Sequence, residues 1–194
     1  MKTTSDQLFD AAWNGRVEDI ESILNSKDIL LPRAVDSALE AAAYNAQPEA
    51  CDKLLHYGAD PNTFHEPTGE TVLHQAITKT TSASERTLIV KSLIAHGADV
   101  NRKTVPGVET QCFMRDIRTR GETPLHRAAA YGDSEMVSAL IEAGADKAAK
   151  DMNGDSPLTW GSWHLRPSEI LGLLLYGDIP GWRGLPKIDP ATNA

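Results

Sequence analysis

One short pattern recurs along this chain and limits what the chain can fold into. Residues 121–132 read Gly-Glu-Thr-Pro-Leu-His-Arg-Ala-Ala-Ala-Tyr-Gly, and residues 140–146 read Leu-Ile-Glu-Ala-Gly-Ala-Asp. Parts of both segments return at 69–76, as Gly-Glu-Thr-Val-Leu-His-Gln-Ala, and at 97–101, as Gly-Ala-Asp-Val-Asn. A unit of about 33 residues cannot bury its own apolar face and is stable only when it stacks against copies of itself. The pattern therefore predicts a solenoid.

Two apolar anchor positions give the register of the repeat. The first is a leucine early in each unit, found at Leu8, Leu39, Leu73, Leu125 and Leu158. The second opens an apolar pair 15 residues later, or 20 in the third unit, and is found at Ile23, Leu54, Leu93, Leu140 and Leu173. Successive first anchors lie 31, 34, 52 and 33 residues apart. The third interval is thus 19 residues longer than a standard unit.

This pattern resembles the ankyrin repeat, a hairpin turn followed by two antiparallel helices. The resemblance implies an all-α ankyrin stack over residues 1–178, with short hairpin fingers. Its repeats are expected at about 5–35, 36–66, 67–118 (with the insertions), 119–151 and 152–178. The first and last repeats are degenerate, as terminal repeats often are because one face meets water. Residues 179–194 contain Pro180 and Pro186, which exclude a continued helix, and are predicted to form an extended tail that caps the last repeat.

Local signals predict where the helices begin and end. Thr71 and Thr123 are suited to N-caps, and Pro124 to the first helical turn. Left-handed residues are expected after the second helices, at Gly58, Gly97, Gly144 and Gly177. The second helices themselves are predicted at 48–57, 87–96, 134–143 and 168–176. The resemblance further implies that His74 and His126 hydrogen-bond to backbone and hold neighbouring turns together.

A candidate binding face follows from the same register. In the ankyrin family the two positions after the Ala-Ala pair project onto the concave face and vary with the ligand. Four of the five repeats place an aromatic residue there, in a protein with only 6% aromatic residues. Trp and Tyr are enriched among residues that dominate binding energy. The candidates are Trp13, Tyr44, Asn45, Lys79, Tyr131 and Trp163. The alternative is that these rings only brace adjacent inner helices.

The long third interval is the second candidate. Residues 101–127 carry six basic and three acidic residues, a net charge of +3 within a chain of net charge −8. We expect a basic recognition loop with neighbouring finger tips, and the alternative is a passive surface loop. The candidate residues are Arg102, Lys103, Phe113, Met114, Arg115, Arg118, Arg120, Met152 and Asn153, and Glu70 and Glu122 are also expected at exposed finger tips. A shorter insertion near 79–84 is interpreted as a surface loop.

No motif of catalysis, cofactor binding or metal binding is visible. The sequence lacks the His-Glu-x-x-His, Gly-x-Ser-x-Gly and phosphate-loop patterns, and Cys51 and Cys112 lie far apart. No apolar segment predicts a signal peptide or a membrane span, so a cytoplasmic location is expected. The acidic balance argues against nucleic acid and anionic lipid as partners. We therefore expect a non-catalytic module, monomeric alone and without cofactor or metal, that binds another protein as a scaffold or regulatory adaptor. The alternatives are a bacterial-type inhibitor or immunity protein, and an enzyme or metal site on the stack.

Overall fold

The structure is a computed structural model that describes residues 3–26, 31, 33–78, 81–110 and 120–177. Over that part of the chain it is a stack of five helix pairs, which confirms the all-α solenoid. The inner helices are α1 (Thr4–Trp13), α3 (Ala34–Tyr44), α5 (Val72–Ala76), α7 (Pro124–Tyr131) and α9 (Pro157–Trp163). The outer helices are α2 (Val17–Leu24), α4 (Pro48–His56), α6 (Ala83–Ala95), α8 (Ser134–Glu142) and α10 (Ser168–Tyr176). One finger carries two short antiparallel strands, β1 (Phe64–His65) and β2 (Glu70–Thr71), with Phe64 opposite Thr71.

The predicted helix caps are confirmed. Thr71 is the N-cap of α5, where its hydroxyl accepts a hydrogen bond from the backbone N–H of His74. Thr123 is the N-cap of α7 and Pro124 is its first residue. Such residues satisfy or remove amide donors that the first turn leaves unpaired. The glycines expected in the left-handed region have φ values of 78° to 90°, at Gly58, Gly97, Gly144 and Gly177.

The core lies between successive helix pairs. The first-anchor leucines of repeats one to four are fully buried, and Leu158 of the last repeat is partly buried. Small residues lie where inner helices meet: the pairs at 42–43 and 128–129 are alanines with no exposed surface. Because each repeat packs only on its neighbours, burial is local and the stack is close to one-dimensional.

Asparagine side chains join the outer ends of consecutive fingers. The amide nitrogen of Asn62 donates to the Gly97 carbonyl at 3.0 Å, and its oxygen accepts from the Asp99 N–H at 2.7 Å. Asn101 makes the same pair of bonds one repeat later, to the Gly144 carbonyl and the Asp146 N–H. The two asparagines thus form hydrogen bonds with backbone groups after α6 and α8 that have no partner within a helix.

The shorter insertion differs from the prediction. Helix α6 begins at Ala83, four residues before the expected start, so part of the insertion is an added helical turn and not a surface loop. Arg86, in this added turn, is only 3% exposed and donates to the carbonyls of Ala76, Thr81 and Tyr44. A buried guanidinium that satisfies three carbonyls explains why the added turn is held against the stack.

Two leucines on α6 test this account of the core. Leu93 has no exposed surface, whereas Leu88 is 57% exposed. Leu93→Ala should lower the free energy of unfolding by about 2–5 kcal/mol, because the cavity cannot fully collapse. Leu88→Ala, on the same helix, should change it by less than about 0.5 kcal/mol. Urea unfolding followed by circular dichroism measures both, and equal losses would contradict the assigned core.

Candidate protein-binding surface

Aromatic residues of the inner helices form two groups at opposite ends of the stack. In the first group, the rings of Phe9 and Trp13 stack with centroids 6.0 Å apart, and Trp13 lies 6.1 Å from Tyr44 of the next repeat. Phe9 and Trp13 are each 43% exposed, and Tyr44 is half-buried. We call these three residues the N-terminal aromatic row. Their rings bridge two inner helices and still present apolar surface to water.

The second group lies on repeats four and five. Tyr131 contacts the His164 ring edge-on at a centroid distance of 5.4 Å, and Trp163 is 53% exposed. The guanidinium of Arg120 lies 5.1 Å from the Trp163 ring centroid. This end of the inner-helix face therefore combines one exposed ring with a cation supplied by the protein itself.

The guanidinium of Arg120 forms ion pairs within the protein. Its Nη1 lies 3.2 Å from a carboxylate oxygen of Asp155 and 3.4 Å from one of Asp151, and its side chain is only 16% exposed. Both aspartates belong to the next finger. The side chain thus links two fingers, and little of it remains for contact with a partner.

The other candidate residues have varied surroundings. The exposed Arg102 has its guanidinium 4.5 Å from the Phe64 ring centroid, and the exposed Lys103 donates to the Lys150 carbonyl at 2.7 Å. Asn45 is half-buried and donates to the Ala41 carbonyl. Met152 (56% exposed) and Asn153 lie on the surface. The candidates Lys79, Phe113, Met114, Arg115 and Arg118, and the tail 179–194, lie outside the described residues.

A buried ion cluster was missed by the sequence analysis. Arg127 has no exposed surface and donates from Nε to Glu122 at 2.9 Å, from Nη2 to Glu70 at 2.8 Å and from Nη1 to the His74 carbonyl at 3.0 Å. The expectation that Glu70 and Glu122 lie at exposed finger tips is wrong, since they are 1% and 0% exposed. Arg127 is buried as well, so its inclusion in the basic segment 101–127 as a surface charge is also wrong. One signal was available: Arg127 lies between His126 and Ala128, which the repeat pattern assigns to the interior.

The Arg127 cluster also holds the start of the long insertion. The hydroxyl of Thr104 donates to the second carboxylate oxygen of Glu122 at 2.9 Å, and its N–H donates to the Glu122 carbonyl at 3.0 Å. Nη2 of Arg127 reaches the Thr110 hydroxyl at 3.4 Å. The insertion therefore begins from a backbone segment that is fixed to the stack.

His74 and His126 have the expected structural role. The Nδ1 atom of each accepts the backbone N–H of the preceding N-cap threonine. The Nε2 atoms lie 3.3 Å from the Glu122 carbonyl and 3.1 Å from the Asp155 carbonyl, each in the following finger. Only the neutral ring with its proton on Nε2 satisfies both partners. Burial lowers the pKa of both histidines, that of His74 strongly.

Three observations on the described part of the chain concern metal binding, membrane insertion and thiol reactivity. Within those residues, no group of three or more His, Cys, Asp or Glu side chains is placed to hold a metal ion. No helix in the same part is long and apolar enough to cross a membrane. Cys51 is buried, and burial raises the pKa of its thiol, which disfavours the reactive thiolate.

Comparison with known proteins identifies the family. The family model described as "Ankyrin repeats (3 copies)" matches residues 8–104 and 106–180. This chain belongs to the ankyrin repeat family. Ankyrin repeats generally mediate protein–protein interaction, and the family is generally non-catalytic.

Individual relatives match only in part. Rabankyrin-5 of Mus musculus is 34% identical over 109 residues, which cover 54% of this chain and 9% of that protein. Rabankyrin-5 of Homo sapiens is 40% identical over 91 residues, covering 46% and 7%. Protein PhlB of Serratia liquefaciens is 29% identical over 143 residues, covering 69% of this chain and 55% of PhlB. The match thus spans less than a tenth of either Rabankyrin-5 and about half of PhlB.

Removal of the Arg127 guanidinium should destabilise the fold. Arg127→Leu should lower the free energy of unfolding by about 3–5 kcal/mol, because it leaves two buried carboxylates without their cation. Arg127→Lys keeps the charge but cannot form the same set of hydrogen bonds, and we expect a smaller loss. Arg102→Leu, at an exposed site, is the matched control. Urea unfolding checks the order, and equal effects of Arg127→Leu and Arg102→Leu would contradict it.

The buried histidines should make the stability of the protein depend on pH. The unfolded histidine has a pKa of about 6.5, and the folded pKa of His74 and His126 is lower, so the unfolded chain binds more protons below pH 6.5. The free energy of unfolding should therefore fall as the pH drops from 7 to 5.5, by up to about 1.4 kcal/mol per histidine per pH unit. His74→Asn should reduce this slope, and Leu88→Ala, at an exposed site without a titratable group, should not. Urea unfolding at several pH values gives the slopes, and an unchanged slope in His74→Asn would contradict the assignment.

Proposed function

We propose that this chain is a non-catalytic module that binds a partner protein across its inner-helix face and fingers. The observation that carries the proposal is the set of exposed rings on inner helices. Trp13 and Trp163 are 43% and 53% exposed at equivalent positions, five residues after the first anchors Leu8 and Leu158. Burying such rings in an interface is favourable, and Trp and Tyr dominate binding energy where a partner fully covers them.

The proposed role is that of a scaffold or regulatory adaptor. The Arg127 cluster supports a role for the long insertion in partner binding, because it fixes the segment of the stack from which the insertion begins. Arg102, Lys103, Met152 and Asn153 would then contact the partner beside the inner helices. The protein is proposed to be monomeric without its partner.

An inhibitor or immunity protein is the second candidate. One observation favours it: the net charge of −8, which suits a basic target. Assaying a captured partner separates the two roles. An inhibitor abolishes the activity of its target at equimolar concentration, whereas a scaffold leaves that activity in place.

The binding face can be tested once a partner has been isolated by affinity capture. Tyr44→Ala combined with Tyr131→Ala should weaken binding at least about tenfold, or about 1.4 kcal/mol, because both rings lie on the proposed face. Tyr57→Ala is the matched control, since Tyr57 follows an outer helix and is 41% exposed. Calorimetric titration measures the affinity, and a thermal melt confirms folding. Unchanged affinity in the double variant would move the interface away from the inner helices.

A further inference from the structure

The net charge of the protein resides almost entirely in its first two repeats. Residues 1–66 contain twelve acidic and five basic residues, a net charge of −7. Residues 67–194 contain fifteen acidic and fourteen basic residues, a net charge of −1. The N-terminal aromatic row of Phe9, Trp13 and Tyr44 belongs to the strongly negative part, and a negative surface potential attracts cations.

The described basic residues of these two repeats are already held by their own chain. Arg16 pairs with Asp10 at 2.8 Å and with Asp19 at 2.7 Å. Lys53 pairs with Glu21, and Arg33 donates to the Thr63 hydroxyl at 2.8 Å. Pairing of Arg16 and Lys53 uses three of the eleven carboxylates that are described between residues 3 and 66. The first two repeats, which carry the aromatic row, therefore keep a negative excess.

Elsewhere the molecule places its own guanidinium groups on aromatic rings. Arg102 lies over Phe64 at 4.5 Å, and Arg120 lies over Trp163 at 5.1 Å. Both distances lie within the range of about 6 Å in which the ring quadrupole attracts a cation. Trp163 and Trp13 occupy the same position of their repeats. Among the described residues, no guanidinium or ammonium group lies over Phe9 or Trp13.

We infer that Phe9 and Trp13 form a cation-binding platform that receives a Lys or Arg side chain from a basic segment of the partner protein. The inference rests on the proposed function and adds the chemistry of the partner. Phe9 and Trp13 are neighbouring rings with centroids 6.0 Å apart and planes inclined by 27°, and each keeps 43% of its surface open to a cationic side chain. The acidic surface of the first two repeats then attracts the segment, and the rings select its cationic side chain.

A defined peptide probe tests the platform directly. The probe is a fluorescein-labelled peptide of eight arginines separated by single glycines, and the same peptide with citrulline, which is neutral, is its control. Fluorescence anisotropy in 50 mM salt should show binding of the arginine peptide and none of the citrulline peptide. Trp13→Leu should weaken binding of the arginine peptide at least about threefold, a modest factor because a cation on an exposed ring is only weakly held. Trp13→Phe, which keeps a ring, should restore most of the affinity.

Tyr57→Leu is the matched control, because Tyr57 lies in the same two repeats, follows an outer helix and is 41% exposed. It should leave peptide affinity unchanged, and circular dichroism melts should show that all three variants fold. If Trp13→Leu and Tyr57→Leu bind the peptide as tightly as the unchanged protein, attraction is merely electrostatic and the platform is overturned. Absence of peptide binding to the unchanged protein overturns it as well. A captured partner that needs Tyr131 but not Trp13 would overturn this inference alone and leave the proposed function standing.

Discussion

The buried guanidinium of Arg127 maintains the continuity of the stack where the repeat is interrupted. It joins Glu70 before α5, the carbonyl of His74 within α5, and Glu122 before α7. Helix α5 has only five residues, so the third repeat offers less apolar surface to the fourth than a full-length inner helix would. The hydrogen bonds and ion pairs of the Arg127 cluster replace part of that packing. Buried ion pairs add little net stability compared with apolar packing, but their geometry permits few alternatives, and this one fixes how the two repeats align across the insertion.

The Arg127 cluster also lets the stack accommodate a long insertion without losing its register. Closing a longer loop costs little additional free energy, since the cost grows only with the logarithm of its length. The greater risk is that the repeats on either side of the loop separate or slip. Thr104 and Glu122 are bonded through both side chain and backbone, so the two ends of the insertion meet at one fixed point. The repeats on either side of the insertion are consequently held together.

Features that depend on contacts within one helical turn could be predicted from the sequence, whereas contacts between distant residues could not. The N-caps at Thr71 and Thr123 and the left-handed glycines depend on neighbours within one turn, and the pattern predicts them correctly. The roles of His74 and His126 were implied by family resemblance. The failures concern contacts between distant residues, as in the pair formed by Arg127 and Glu70, which are 57 residues apart. A charged residue looks exposed in a sequence because nothing in its neighbourhood shows the partner that permits its burial. The early start of α6 is a failure of the same kind, since Arg86 of the added turn bonds the distant Tyr44 carbonyl.

The candidate surface was predictable in position but not in chemical state. The repeat register gives Trp13 and Trp163 equivalent places, yet only the structure shows that Arg120 from a neighbouring finger already lies over Trp163. The two ends of the inner-helix face thus differ, with the exposed rings of Phe9 and Trp13 in strongly acidic repeats at one end and a ring that carries the protein's own cation at the other. Because contacts in a stack are local, a substitution in either aromatic group has little effect on the opposite end. Residues of the proposed binding face can therefore change in one group while the buried leucines and the Arg127 cluster keep the scaffold intact, and a partner that spanned both ends would meet two chemically distinct surfaces.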